Sequence, residues 1–375
     1  MASSKVYFDN SATTMMAPEV LNAMMPFLTS EYGNPGSIHS MGDNAAKAVR
    51  EARQKTSKLV GCLPSELIFT SGGTESDNIA LIGAVPTGGR IITTSIEHSA
   101  ILETCAYLGE NKRKVTVLPV DDKGRLNPDT LRNAMSDDVF MVSVMTANNV
   151  IGTIQHIREL SDIAHEFGAL FHTDAVQAFT KTDVNVKRSG VDMLSISGHK
   201  IHGPKGIGAL YVSEKADVKP IMFGGGQESG VRPSTENVPG MVGLGAAVEF
   251  AEKTMDADIR KMEKLRNTII ENTLGIDGSA LNGPFDGRLC NNAHFRFKGI
   301  KGTELVLRLS KEGIMTSTAS ACSAGSTEPS HVMTAIGLSP ADALSALRIS
   351  LSRYNTEEDV QRLAEILPKA VKSLI

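Results

Sequence analysis

A lysine stands just past the apolar run 192–197: Gly198, His199 and Lys200 follow it, and a loop rich in glycine and proline leads on into a second apolar run, 209–212. An amine presented at a strand end, beside small hydroxyl residues, suits a Schiff base with an aldehyde cofactor. Pyridoxal 5′-phosphate fits that description, because its phosphate would find Ser197, His199 and backbone N–H groups nearby. The same tripeptide also suits a surface lysine in a glycine turn, so its meaning depends on what else the chain carries.

Three further segments carry matching chemistry. An apolar stretch from Ala169 ends in Asp174, at the kind of strand end where open α/β sheets bind ligands. A carboxylate there would keep a pyridine nitrogen protonated and make the ring a better electron sink; a helix N-cap is the ordinary alternative. Gln177 could donate to the cofactor's phenolic oxygen. Residues 67–78 read as strand, glycine turn and helix, with Gly72, Gly73 and Thr74 at the junction. Free N–H groups at a helix start form an anion site. The turn is neither a Walker loop nor a G-x-G-x-x-G fingerprint, which favours a simple phosphate ester over a nucleotide. His98 follows the strand-like run 90–93 and could stack on the ring and shuttle protons, although a lone histidine is often structural. Asn148 and Asn149 close another strand, 140–145, at the same edge.

Cys322 sits in the run 316–331, which is small, polar and nearly free of large apolar residues. That composition reads as a mobile loop, 318–328 above all, with no core for a thiol to pack into. Cys62, Cys105 and Cys290 lie at or inside apolar or helical stretches and read as small buried hydrophobes.

The elements that must position these groups alternate strand and helix up to about residue 250. Amphipathic stretches such as 45–60 and 157–167 separate short apolar runs, the pattern of a mainly parallel sheet covered by helices. A long helix is expected over 251–274. A smaller α+β part follows, with a strand at 293–297, a helix at 303–311, a strand around Arg348, and a closing helix that begins at a capping box, Thr356 to Asp359. The chain has 375 residues, 41% of them hydrophobic, enough for two domains. A net charge of −4 without long basic runs argues against a direct nucleic-acid grip. Four cysteines without a Cys-x-x-Cys pair argue against a zinc site or a disulfide framework and suit a reducing cytoplasm. No metal site is expected, and no stretch is long enough to span a bilayer.

The chain resembles the fold-type I pyridoxal-phosphate enzymes and, within them, the group I cysteine desulfurases of the class-V aminotransferase-like family. Besides the segments above, the resemblance rests on residues 6–14, 32–39, 147–155, 224–228 and 320–326. It implies an α/β fold: a large domain, 15–255, with a mainly parallel seven-stranded sheet, and a small α+β domain made of 1–14 and 256–375. It implies conversion of L-cysteine to alanine, with Lys200 as Schiff-base lysine and base, His98 assisting, and Cys322 taking the sulfur as a persulfide. Gly73, Thr74, Ser197 and His199 would hold the phosphate, and Thr235 would reach it across a homodimer interface. Arg348 would pair with the substrate carboxylate, with Asn149 and Asn34 beside it. An iron–sulfur scaffold or another thiolation protein would receive the sulfur. Ser229 and Ser234 depart from the commoner pattern of arginine and glycine at these places, which removes a positive charge and stiffens a turn. A selenocysteine lyase is the neighbouring alternative; a non-catalytic scaffold of the same fold is a further one.

Overall fold

Runs of β-branched and aromatic residues, most of them buried along their length, become the strands. The computed structural model describes residues 5–318 and 329–374. In chain order its strands are β1 (Val6–Tyr7), β2 (Leu67–Thr70), β3 (Arg90–Thr94), β4 (Lys114–Leu118), β5 (Val139–Ser143), β6 (Leu170–Asp174), β7 (Met193–Ser197), β8 (Gly208–Val212), β9 (Ser279–Leu281), β10 (Asn292–Phe297), β11 (Ile314–Met315) and β12 (Ala346–Ser350). The main sheet has seven strands in the order β2-β8-β7-β6-β5-β3-β4. Its pairs are parallel except those of β8, which runs antiparallel to β2 and β7. Strand β7 is buried throughout, as expected of a strand covered on both faces. Edge strand β4 is part-exposed and starts with Lys114, a charge that discourages further pairing. Because β3, β5, β6 and β7 run parallel, Thr94, Ser143, Asp174 and Ser197 all end at one edge.

The long helix differs from expectation. It starts at Val238 and runs to Leu274, 37 residues, where the sequence pattern suggested a start near 251. Gly240, Gly243 and Gly245 lower helix propensity in its first half; the Asn237 cap leaves no room at Gly240, and packing explains the other two. A Cβ at Gly245 would stand 2.8 Å from Ala52 Cα, so the helix Ser40–Val60 lies closer than a larger residue would allow. Asn237 caps the helix through Gly240 N–H, at 3.1 Å.

The same helix joins two cores. Met241, Leu244 and Val248 pack with Phe69, Phe171 and Leu194 around the main sheet. Met262, Leu265 and Ile269 pack with Val6, Phe8, Phe295 and Leu347 around the antiparallel sheet β12-β10-β9. The first strand thus belongs with the last third of the chain: β1 pairs with β11, and Asp9 bridges to Ser350. The closing helix Glu357–Lys372 carries the expected capping box at Thr356 and Asp359. Among the described residues no helix is long and apolar enough to cross a membrane.

Candidate active site

The strand ends enclose a cavity of about 200 Å³. Gly73, Thr74, His98, Asn149 and Asp174 line it, and so do Gln177, Ser197, His199, Lys200 and Arg348. A larger surface groove of about 570 Å³ lies between the helices Pro128–Ala134 and Ile157–Glu166. Its arginines are already paired, Arg132 with Glu166 and Arg158 with Asp162, and it has no comparable set of groups.

Lys200 follows β7 in a single tight turn. Its Nζ donates to the carbonyls of Ser11 and Ala12, at 2.6 and 2.7 Å. Burial pushes its pKa down to about 8, with the charges of Arg348 and Lys181 acting in the same direction. An amine that loses its proton this readily is a usable nucleophile near neutral pH. His199 donates or accepts at Thr13 Oγ1, 3.1 Å away, and burial pushes its pKa down to about 4.

His98 caps the helix Ser99–Glu110, its Nδ1 accepting from Ala100 N–H at 3.1 Å. That contact leaves the ring proton on Nε2. Burial lowers the pKa of His98, opposed by Asp174, so the ring is neutral. Asp174 ends β6 and accepts from Val176 N–H at 2.8 Å. Burial raises its pKa, while His98 and Lys200 favour its charged form. Two more buried acids stand behind it. Glu97 accepts from Thr94 Oγ1 at 2.6 Å and from Met145 N–H at 3.0 Å. Asp77 lies 3.6 Å from His172 Nε2, and its Oδ1 makes no hydrogen bond.

The helix Gly73–Ala84 begins with no side-chain cap, leaving its first N–H groups for an anion. A Cβ at Gly73 would stand 2.6 Å from Val176 Cγ2, so glycine is needed where this turn meets the Asp174 turn. Glu75, in the same first turn, is neutralised by Arg232 at 2.8 Å.

The opposite wall comes from the other core. Arg348 lies on β12 and is 1% exposed. Its Nη2 pairs with Asp9 Oδ1 at 2.7 Å, and its Nη1 donates to the carbonyl of Asn149 at 3.0 Å. Among the described residues its Nε is buried without a partner.

Residues 6–363 match the family described as Aminotransferase class-V. The chain is 48% identical to a cysteine desulfurase IscS of Methanosarcina thermophila, over 98% of this chain and 92% of that one. It is 46% identical to a cysteine desulfurase IscS of Clostridium botulinum, over 98% and 94%. The chain belongs to the class-V aminotransferase family and, within it, to the cysteine desulfurases. A solved NifS-like protein superposes with a TM-score of 0.93 at 38% identity, covering 99% of this chain and 100% of that one. A structure titled SspA in complex with cysteine superposes at 0.83 and 37% identity, covering 94% and 100%.

Enzymes of this family depend on pyridoxal phosphate, and the cavity of this cysteine desulfurase fits that cofactor. Asp174 has no ion-pair partner among the described residues, and a pyridinium nitrogen would supply the missing counter-charge. Gln177 donates to Ser11 O at 2.9 Å while its Oε1 is buried and, among the described residues, unpartnered, an orphan that a polar ring substituent would satisfy. Two groups from the sequence reading lie outside the cavity. Asn34 is exposed and its side chain accepts from Gly36 N–H at 2.9 Å. Thr235 is also exposed, next to Ser234 at a φ of 142°, a backbone region that favours glycine. Cys322, with its expected mobile loop, lies outside the described residues. The thiols of Cys62, Cys105 and Cys290 are each pushed up to about 12 by burial, which suits inert packing.

Sequence reasoning missed three contributions. Ser11 and Ala12 act through backbone carbonyls, which carry no side-chain signal. Asp9 pairs with Arg348 from the far end of the chain, although the motif 6–14 contained it. Lys181 reaches Lys200 from behind, and nothing in its local sequence marks it.

Proposed function

We propose that this enzyme converts L-cysteine to alanine and carries the sulfur as a persulfide on Cys322, for iron–sulfur cluster assembly or thiolation. The observation that carries the reading is the convergence of Lys200, Asp174, His98 and the Gly73 helix start on one cavity, with Arg348 on its opposite wall.

Lys200 would hold the cofactor's aldehyde carbon, Asp174 the ring nitrogen, and His98 the ring face. The N–H groups at Gly73 and Thr74, with Ser197 and His199, would hold the phosphate. When bound, pyridoxal phosphate supplies an electron sink that acidifies the substrate's α-C–H. Arg348 orients the substrate carboxylate through its guanidinium, which matches a carboxylate in two places. The neutral amine of Lys200 accepts the α-proton. The Cys322 thiolate forms a bond to the substrate sulfur as the carbon–sulfur bond breaks. The carbon side keeps the bonding pair, takes a proton and leaves as alanine.

Thr235 would complete the phosphate site from a second copy of the chain. Exposed apolar side chains near Asn34 and before Thr235 support a homodimer: Tyr32 at 72%, Ile38 at 100% and Phe223 at 87%. Cytoplasmic residence follows from the reduced thiols that the chemistry needs.

Incubation with cysteine and cofactor, assaying alanine and protein-bound persulfide, tests the reading. Cys322→Ser should bind cysteine and release neither product, since a hydroxyl is a poor acceptor of sulfur. Wild-type desulfuration by Cys322→Ser would overturn it. So would wild-type protein that ignores cysteine but turns over selenocysteine.

A further inference from the structure

Lys181 is a buried cation with no assigned task. It is 8% exposed, and among the described residues no carboxylate lies within ion-pair distance of it. Its Nζ donates to two carbonyls instead, that of Gln177 at 3.2 Å and that of Lys200 at 3.1 Å. Burying an unpaired ammonium is costly, and two carbonyls offset only part of that cost. The backbone before it is strained as well. Thr180 has a φ of 63°, a conformation that a β-branched residue rarely adopts, and one that recurs at functional sites. Lys181 follows directly, with its ammonium on the carbonyl of Lys200. A fold that needed only packing here would be served better by leucine or methionine.

We propose that Lys181 is a positioning residue for Lys200: its buried ammonium ties the turn bearing Gln177 to the turn bearing Lys200 and sets a positive charge behind the Lys200 amine. The two turns come from neighbouring strands, β6 and β7, and hold groups that must meet one cofactor. Joined through a single ammonium, they cannot separate without breaking a charge-assisted hydrogen bond. The charge acts on protonation too. Lys200 faces Arg348 and Lys181, which disfavour its proton, and Asp174 and Asp9, which favour it. Lys181 in turn faces Cys290 and Arg353, and its charge also bears on His199 and His202. Arg348 already pairs with Asp9, so its field at Lys200 is partly cancelled, whereas that of Lys181 is not. Burial pushes the pKa of Lys181 down to about 8, which leaves it largely charged at neutral pH.

The inference rests on Lys200 being the cofactor's lysine, and the test separates the two. The full-length, cofactor-loaded protein is titrated by its visible absorption band. In Lys181→Gln, which keeps a donor but not the charge, the midpoint should rise by about one pH unit, because removing a nearby positive charge favours the protonated form. Lys181→Met should show the same shift and also bind the cofactor about tenfold more weakly, having lost the tie between the turns. Folded variants that both keep the wild-type midpoint would overturn the proposal. A second measurement needs no change at Lys181. Coupling between two titrating groups is reciprocal, so removing the amine in Lys200→Ala should raise the Lys181 midpoint by about one unit, read from its 13Cε shift in the cofactor-free protein. An unmoved Lys181 midpoint would also overturn it. Absence of a borohydride-reducible link at Lys200 in the wild type would instead strike the proposed function and leave the coupling result standing.

Discussion

The two ends of the cavity present hydrogen-bond donors in opposite ways. At the Gly73 end, the donors are backbone N–H groups of a helix start, fixed by the main sheet and its core. At the Arg348 end, the donor is a full charge on a strand of the other core, and that charge is already engaged by Asp9. Backbone donors need no reorganisation and suit a group that stays bound. A guanidinium that must loosen from an internal carboxylate suits one that comes and goes at every turnover. The contrast is the one the proposed function needs: a resident cofactor at the Gly73 end and a transient substrate at the Arg348 end.

The largest expected effect breaks the comparison at its substrate end. Arg348→Met should raise KM for cysteine on the order of 100-fold, since losing one side of a buried charged pair costs about 3 kcal/mol or more. The cofactor's visible band should be unchanged. Steady-state kinetics beside a cofactor titration check this, and equal losses of both affinities would merge the two ends into one site. At the other end, Gly73→Ala should weaken cofactor binding by about 10- to 100-fold, as overpacking against Val176 costs about 1–3 kcal/mol. Its KM for cysteine, measured at saturating cofactor, should stay within about threefold of wild type.

A smaller effect comes from pH. Lys200 must be neutral to capture an aldehyde, and its pKa is pushed down to about 8. Capture of pyridoxal phosphate by the cofactor-free protein should therefore quicken about tenfold per unit below that value and level off above it. Stopped-flow absorbance at several pH values checks this; a rate still climbing toward pH 10 would mean that the amine keeps its ordinary pKa. The smallest effect sharpens the substrate end. Asp9→Asn should lower KM for cysteine by about two- to fivefold, the range of a part-exposed ion pair, because the guanidinium no longer has a rival carboxylate. A rise in KM would show that Asp9 holds Arg348 in place for the substrate.

Much of the cavity's lining was legible in the sequence. Lys200, Asp174, His98 and Gly73 each stand where a strand gives way to a turn, and strand ends can be read from apolar runs and the glycines after them. The long helix was half legible. Its second half follows an amphipathic pattern, but Gly240, Gly243 and Gly245 hide the first half; Gly243 answers to Met24 and Pro204 and Gly245 to Ala52, all remote in sequence. Asn34 and Thr235 sit away from the cavity, because the pattern of residues that suggested them carries no distance through space.

By itself the sequence determined the chemistry available: an amine, a carboxylate, an imidazole and a helix start at successive strand ends, and a thiol in a polar run. Those are local properties, written in periodicity and turn residues. Tertiary structure alone decided how the groups are tuned. It set the carbonyls of Ser11 and Ala12 against Lys200, put Asp9 on Arg348, and brought the unpaired charge of Lys181 beneath both turns. The pairs Ser11–Lys200 and Asp9–Arg348 are separated by 189 and 339 residues. Electrostatic interaction depends on distance through space and on burial, and neither is encoded in the spacing along the chain.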